Sequence, residues 1–223
     1  MTTATPRYRT RDGGRLYSGA TWSDEGTNFS IFSHDAINIE LLLYEAAEST
    51  EPFQVIALDP NTQRTFLAWH VFVEQLPLGT QYTWRIQRPN GAWWEILDPW
   101  ALAVSDKYWD RRQAISPTNG LRGIVTDTRY DWSEPVFTPK PLDGAVIYEV
   151  HVGGFTRHPS SDPQHPGTFA GLIEKIPYLK ELGITHVELL PVMAFDEQDV
   201  PEGVTALGHT NYWGYSPYGF YAP

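Results

Sequence analysis

Ala145-Val146-Ile147-Tyr148-Glu149-Val150-His151-Val152 is an apolar, β-branched run, and Val187-Glu188-Leu189-Leu190-Pro191-Val192 is a second one. Between them Phe169, Leu172, Ile173, Ile176, Leu179 and Leu182 recur on one helical face. Thr168 stands where an N-cap belongs, and Gly183 where a left-handed C-terminal residue belongs. Pro177 falls inside that helical pattern, where an interior proline costs about 3 kcal/mol, so a kink or a fresh turn is expected there. Strand, helix, strand predicts a parallel pair joined by a right-handed crossover. Near-continuous apolar strands of this kind are expected to be buried. In α/β folds ligands gather beyond the carboxyl ends of such strands. Two loops lie at that end: 160–167, which leaves the first strand, and the acidic stretch 194–209 after the second.

Working outward, the preceding sequence changes period. Phe29 and Ile31 alternate with Asn28 and Ser30; Ile37, Ile39, Leu41 and Leu43 share one parity, as do Val71 and Val73; Tyr82, Trp84 and Ile86 alternate with Thr83, Arg85 and Gln87. Asp59-Pro60-Asn61, Pro77-Leu78-Gly79 and Pro89-Asn90-Gly91 are turn signals between them. Short alternating strands with such turns predict an immunoglobulin-like antiparallel β-sandwich over 19–104. Residues 1–18, with the turn Asp12-Gly13-Gly14, read as a mobile start. Residues 105–141 have no sustained period. They include the loop Ser116-Pro117-Thr118-Asn119-Gly120 and the prolines Pro135, Pro139 and Pro141, and read as a connector with Ile124-Val125 as a short strand. Residues 142–223 then hold the strand–helix–strand unit.

The chain has 223 residues, 41% hydrophobic and 19% charged, which suffices for a sizeable core. A net charge of −11 argues against nucleic acid and anionic membranes as partners and favours a neutral ligand. There is no cysteine, hence no disulfide framework. The first residues carry no apolar segment resembling a secretory signal, and no run is long enough to span a bilayer, so a cytoplasmic location is expected. Nine Trp and twelve Tyr provide flat faces that suit the C–H faces of sugar rings, although such residues also fill cores.

Several stretches carry a resemblance. Ile147-Tyr148-Glu149-Val150-His151-Val152, Pro166-Gly167-Thr168-Phe169-Ala170-Gly171, Val187-Glu188-Leu189-Leu190-Pro191-Val192, Asn211-Tyr212-Trp213-Gly214-Tyr215 and Gly219-Phe220-Tyr221-Ala222-Pro223 resemble the opening of the catalytic barrel of the α-amylase family of glycoside hydrolases, in its isoamylase and glycogen-debranching branch. Upstream, Gly26-Thr27-Asn28-Phe29-Ser30-Ile31-Phe32-Ser33 and Leu97-Asp98-Pro99-Trp100-Ala101 are similar to that branch's carbohydrate-binding-type sandwich. The resemblance implies a multi-domain β plus α/β protein, in which the sandwich is followed by the first βαβ unit of an incomplete (β/α)8 barrel. It also implies hydrolysis of α-1,6 branch points of an α-glucan such as glycogen, starch or a maltooligosaccharide, by the retaining route, with two carboxylates about 5–5.5 Å apart. In the family those carboxylates sit on the fourth and fifth barrel strands, with a further Asp after the seventh. The sequence runs to Pro223, before a third strand, so no acidic residue of 145–223 is assigned to these roles. With the remainder of the barrel missing, the chain alone is expected to be inactive. A non-catalytic α-glucan-binding module and a glycogen branching enzyme are the alternatives.

Three residues are candidates for substrate contact: Tyr215, which the resemblance puts under the sugar at the cleaved bond, with Trp213 and Asn211 on the same rim. No catalytic, cofactor or metal residue is assigned. Glu149 and His151 share a strand face and, like Glu188, read as part of a polar network in the barrel interior. His158, His165 and His209 are too scattered for a metal site, and Asp196, Glu197 and Asp199 lack the glycine-centred pattern of a calcium loop, so they read as a solvated loop. Trp69, Trp84, Trp93 and Trp94 could form a glycan platform on the sandwich. The alternation of Trp84 points to the core, and strand geometry allows at most one of Trp93 and Trp94 to face inward.

Overall fold

The computed structural model describes residues 7–113, 120–133 and 138–223. Residues 1–6, the loop residues 116–119 and Pro135 lie outside the described residues. In chain order the first strands are β1 (Thr10–Asp12), β2 (Gly19–Ser23), β3 (Gly26–Phe32), β4 (Asn38–Tyr44), β5 (Gln54–Ala57) and β6 (Arg64–Thr65). They are followed by β7 (Ala68–Glu74), β8 (Gln81–Gln87), β9 (Trp93–Ile96), β10 (Val104–Ser105) and β11 (Arg122–Ile124). Contacts divide the chain into two compact units, residues 1–128 with 218–223, and residues 129–217.

The first unit is a β-sandwich. One sheet has the order β1-β7-β3-β2, with β6 on β7; the other runs β10-β11-β8-β4-β5, with β9 on β8. All of these pairings are antiparallel. The alternation in the sequence explains the core. Phe29, Ile31, Trp69, Val71 and Val73 face inward from the first sheet, and Ile39, Leu41, Leu43, Tyr82 and Trp84 from the second, in one cluster. Fully burying such a side chain contributes about 1.5–3 kcal/mol. Phe29 meets Tyr82 and Trp84 edge-on across the layers, with centroids 5.0 and 6.4 Å apart.

Three of the predicted turns are closed by backbone bonds, Thr62 N to Asp59 O, Thr80 N to Pro77 O and Gly91 N to Arg88 O. Beneath the sandwich's last strands Asp98 is fully buried. Its carboxylate accepts from the Tyr82 hydroxyl at 2.9 Å, the Trp84 indole at 3.2 Å and the Trp100 backbone N–H at 2.9 Å. Burial raises its pKa above the ordinary carboxylate value, against the lowering effect of those three donors. The same burial, reinforced by the neighbouring carboxylate, pushes the Tyr82 phenol well above its usual range.

The structure departs from the sequence reading in several places. Thr10–Asp12, expected within a mobile start, pairs with Val71–Val73. β10 and β11 extend the second sheet beyond residue 104, into what read as connector. Ile37 precedes β4 and is exposed, despite its parity with Ile39. Trp69 is fully buried against the opposite sheet and is no platform. Trp93 and Trp94, by contrast, are both exposed on the edge strand β9, within the expectation that at most one faces inward.

The second unit contains β12 (Ile147–Val150), α1 (Val152–Phe155), a 3-10 turn at Pro159–Ser161, α2 (Phe169–Glu174), α3 (Ile176–Glu181), β13 (His186–Leu189) and α4 (Glu202–Thr205). β12 and β13 are parallel, with Tyr148 beside Val187 and Val150 beside Leu189. Thr168 caps α2 by accepting the Gly171 N–H. The helix breaks at Lys175 and restarts with Pro177 in its first turn, where a missing N–H costs nothing. The expected burial of the two strands does not hold. Ile147, Val187 and Leu189 are exposed, as are Phe169, Ile173, Ile176 and Leu182 of the helical face, whereas Val150 and Leu179 are buried. Two strands and two short helices cannot cover both faces of a sheet, and apolar residues at those positions stay open to solvent. No helix among the described residues is long and apolar enough to cross a membrane.

Candidate functional site

Beyond the carboxyl ends of β12 and β13 the chain builds a closed loop. Phe195 and Pro217 form an isolated antiparallel bridge at its base. Asp196 donates its N–H to Ser216 O at 3.0 Å, its Oδ1 accepts the Gln198 N–H at 2.9 Å, and its backbone oxygen accepts the Asn211 amide at 3.2 Å. Asp196 is buried, which corrects its reading as part of a solvated loop, whereas Glu197 is exposed as that reading expected. The Ser216 hydroxyl donates to Asp199. Asn211 ties both arms: its N–H reaches Glu197 O at 2.8 Å, and its side-chain amide also donates to Tyr215 O.

The tip of this loop is aromatic. Gly214 has φ +80°, and a Cβ there would stand 2.9 Å from Pro191 O, so the chain can double back against the end of β13 only with glycine. That reversal turns the aromatic side chains outward: Trp213 is 55% and Tyr215 58% exposed. Tyr212 lies flat on the imidazole of His151, with centroids 4.4 Å apart and planes at 29°, and Trp213 stands edge-on to both rings at 5.8 and 5.5 Å.

His151 is the residue that the sequence reading misplaced. It follows β12 and faces Tyr212 rather than sharing a network with Glu149, which is exposed. Its Nδ1 accepts the Gly154 N–H at 3.0 Å, which caps α1, so the ring proton resides on Nε2 and is donated to Tyr212 O at 2.9 Å. Gly154 carries the signal that could have revealed this contact, since any Cβ there would collide with the Tyr212 hydroxyl.

A cleft of about 410 Å³ opens beside the loop, lined by His151, Arg157, Phe169, Glu197, Asn211 and Tyr212 among others. The structure thus brings Asn211 onto the cleft wall and ties it to Tyr215, while Trp213 and Tyr215 present their rings on the exposed tip. Among the described residues no group of three or more His, Cys, Asp or Glu could hold a metal ion.

Residues 18–101 match the carbohydrate-binding module 48 family, the isoamylase N-terminal domain. Isoamylase 1, chloroplastic, of Arabidopsis thaliana is 32% identical over 97% of the chain. Over nearly its whole length the chain is thus similar to isoamylases and glycogen debranching enzymes. The glycogen debranching enzyme of Erwinia tasmaniensis is 30% identical over 95% of the chain. The chain spans 30% and 34% of the lengths of these two relatives. The apo pullulanase of Paenibacillus barengoltzii superposes with a TM-score of 0.69 at 27% identity, over 96% of this chain and 32% of its own. The residues that match carbohydrate-binding module 48 lie in the sandwich of the first unit.

Proposed function

We propose that this chain supplies the N-terminal, glucan-facing part of a glycogen or starch debranching hydrolase that cleaves α-1,6 branch points with retention. In this reading the β12–β13 unit opens a (β/α)8 barrel, and the Asn211–Tyr215 loop forms one wall of the substrate groove. The observation that carries it is the outward aromatic tip, Tyr215 with Trp213, beyond the carboxyl ends of two parallel strands. Flat rings there pack against the C–H faces of glucose units, and the cleft beside them offers an amide, a carboxylate and a guanidinium to sugar hydroxyls. A neutral polyol is also the ligand easiest to reconcile with a net charge of −11. The bond-breaking carboxylates are not assigned among residues 145–223, so the chain binds glucan without turning it over. The test pairs co-sedimentation with glycogen and a reducing-end assay on the purified 223-residue chain. Retention on glycogen with no release of reducing ends supports the reading, and release of reducing ends contradicts it.

A second reading, a glucan-binding module with no part in catalysis, is favoured by Trp93 and Trp94. Both are exposed on β9, with the guanidinium groups of Arg85 and Arg88 stacked 5.6 and 4.3 Å from their ring centroids. Retention on glycogen that survives Tyr215→Ala and is lost with the double change Trp93→Ala and Trp94→Ala assigns binding to the sandwich.

A further inference from the structure

We infer that His151 is a positioning residue: its Nε2–H and its ring face hold the tip of the aromatic loop in the geometry that receives a glucose unit. The inference rests on the reading of the loop as a glucan wall and goes beyond it by naming what fixes that wall. The loop is anchored from two sides. From the β13 side it is held by the Asn211 and Asp196 bonds and by the close approach of Gly214 to Pro191 O. Those contacts fix the two arms. The tip residues Tyr212 and Trp213 meet the β12 side through His151, with a hydrogen bond to the Tyr212 carbonyl at 2.9 Å, a stacked face at 4.4 Å and an edge contact to Trp213 at 5.8 Å. The imidazole is itself locked. Nδ1 is committed to the Gly154 N–H, which sets the tautomer and leaves Nε2–H free for the loop alone. A rigid ring at the end of a strand thereby defines the position of an exposed aromatic edge whose own backbone has no sheet partner, which is how a binding surface is preorganised.

The two roles of His151 separate chemically. In His151→Asn the shorter side chain can still accept the Gly154 N–H and cap α1, but it reaches neither Tyr212 O nor the ring stack. In His151→Gln the amide nitrogen can occupy the place of Nε2 and donate to Tyr212 O, while the cap is lost. The experiment labels the 223-residue chain with 5-fluorotryptophan and assigns the Trp213 resonance by its disappearance in Trp213→Phe. Maltoheptaose affinity is then measured for the parent chain and for His151→Asn, His151→Gln and Tyr215→Ala. The expected result is a Trp213 resonance shifted and broadened in His151→Asn, with the resonances of the other tryptophans unmoved and affinity at least tenfold weaker, and recovery of both readouts towards the parent in His151→Gln. Unmoved Trp213 resonance with parental affinity in His151→Asn overturns the inference. Parental affinity in Tyr215→Ala instead sinks the glucan reading of the loop, and the Trp213 resonance still decides whether His151 positions the tip.

Discussion

The Tyr82 hydroxyl donates to the carboxylate of Asp98 at 2.9 Å, and both residues are fully buried at the base of the sandwich. Since Trp84 and the Trp100 backbone donate to the same carboxylate, three donors, two from β8 and one from the Asp98–Trp100 turn, converge on one side chain. An amide in its place can offer only one acceptor oxygen, so Asp98→Asn leaves at least one buried donor unmatched. The expected loss is about 1–3 kcal/mol, measured by urea unfolding at constant m.

That carboxylate also sets a pH dependence. Burial raises the folded-state pKa of Asp98 above its ordinary value of 3.8, so the folded chain holds this proton more tightly than the unfolded chain. Its contribution to stability is therefore greatest below about 3.8 and declines as pH rises through the raised folded value. Subtracting the unfolding free energies of Asp98→Asn from those of the parent between about pH 3 and 7 cancels the other titrations. The difference is expected to shrink with rising pH, and a difference that grows contradicts the assignment.

The two exposed and two buried tryptophans of the sandwich separate packing from surface. Trp84→Ala removes a fully buried indole between the sheets and its bond to Asp98, and is expected to cost about 3–5 kcal/mol. Trp94→Ala, on an exposed edge strand, is expected to stay within about 0.5 kcal/mol of the parent. Trp69, once a platform candidate, should behave like Trp84. Thermal denaturation of the three variants checks the ordering.

Much of this was legible in the sequence, and the rest was hidden for definite reasons. Val71, Val73, Tyr82 and Trp84 alternate because one face of each strand meets the opposite sheet, and period two survives in the sequence wherever that holds. Pro177 announced the break between α2 and α3 through its missing donor. Thr10–Asp12 is three polar residues on a sheet edge, and no pattern of side chains marks it. The apolar residues of β12 and β13 promised burial, but burial depends on neighbours that a strand's own sequence does not contain. At the site, the motif singled out Asn211, Trp213 and Tyr215 as candidates, and the structure gathers them on one loop. The partnership of His151 with Tyr212 was not, because 61 residues separate them and only the folded chain stacks the rings.

Arg122 supplies a further check on the sandwich's closure. Its guanidinium reaches the carbonyls of Ala46 at 2.9 Å and Ser49 at 2.6 Å and lies 3.7 Å from the centroid of the Tyr44 ring. Lysine keeps the charge but not the planar fork or the stacked face. Arg122→Lys is expected to cost about 1–3 kcal/mol and to speed backbone hydrogen exchange at residues 46–49.

The central claim, that the aromatic tip beyond β12 and β13 receives α-glucan, is tested most directly by calorimetric titration of the 223-residue chain with maltoheptaose, carrying either Tyr215 or Tyr215→Ala. Saturable binding that weakens at least tenfold on the substitution, with an unchanged thermal midpoint, is the predicted result. Equal affinity for the two chains, or no binding by either, would contradict it.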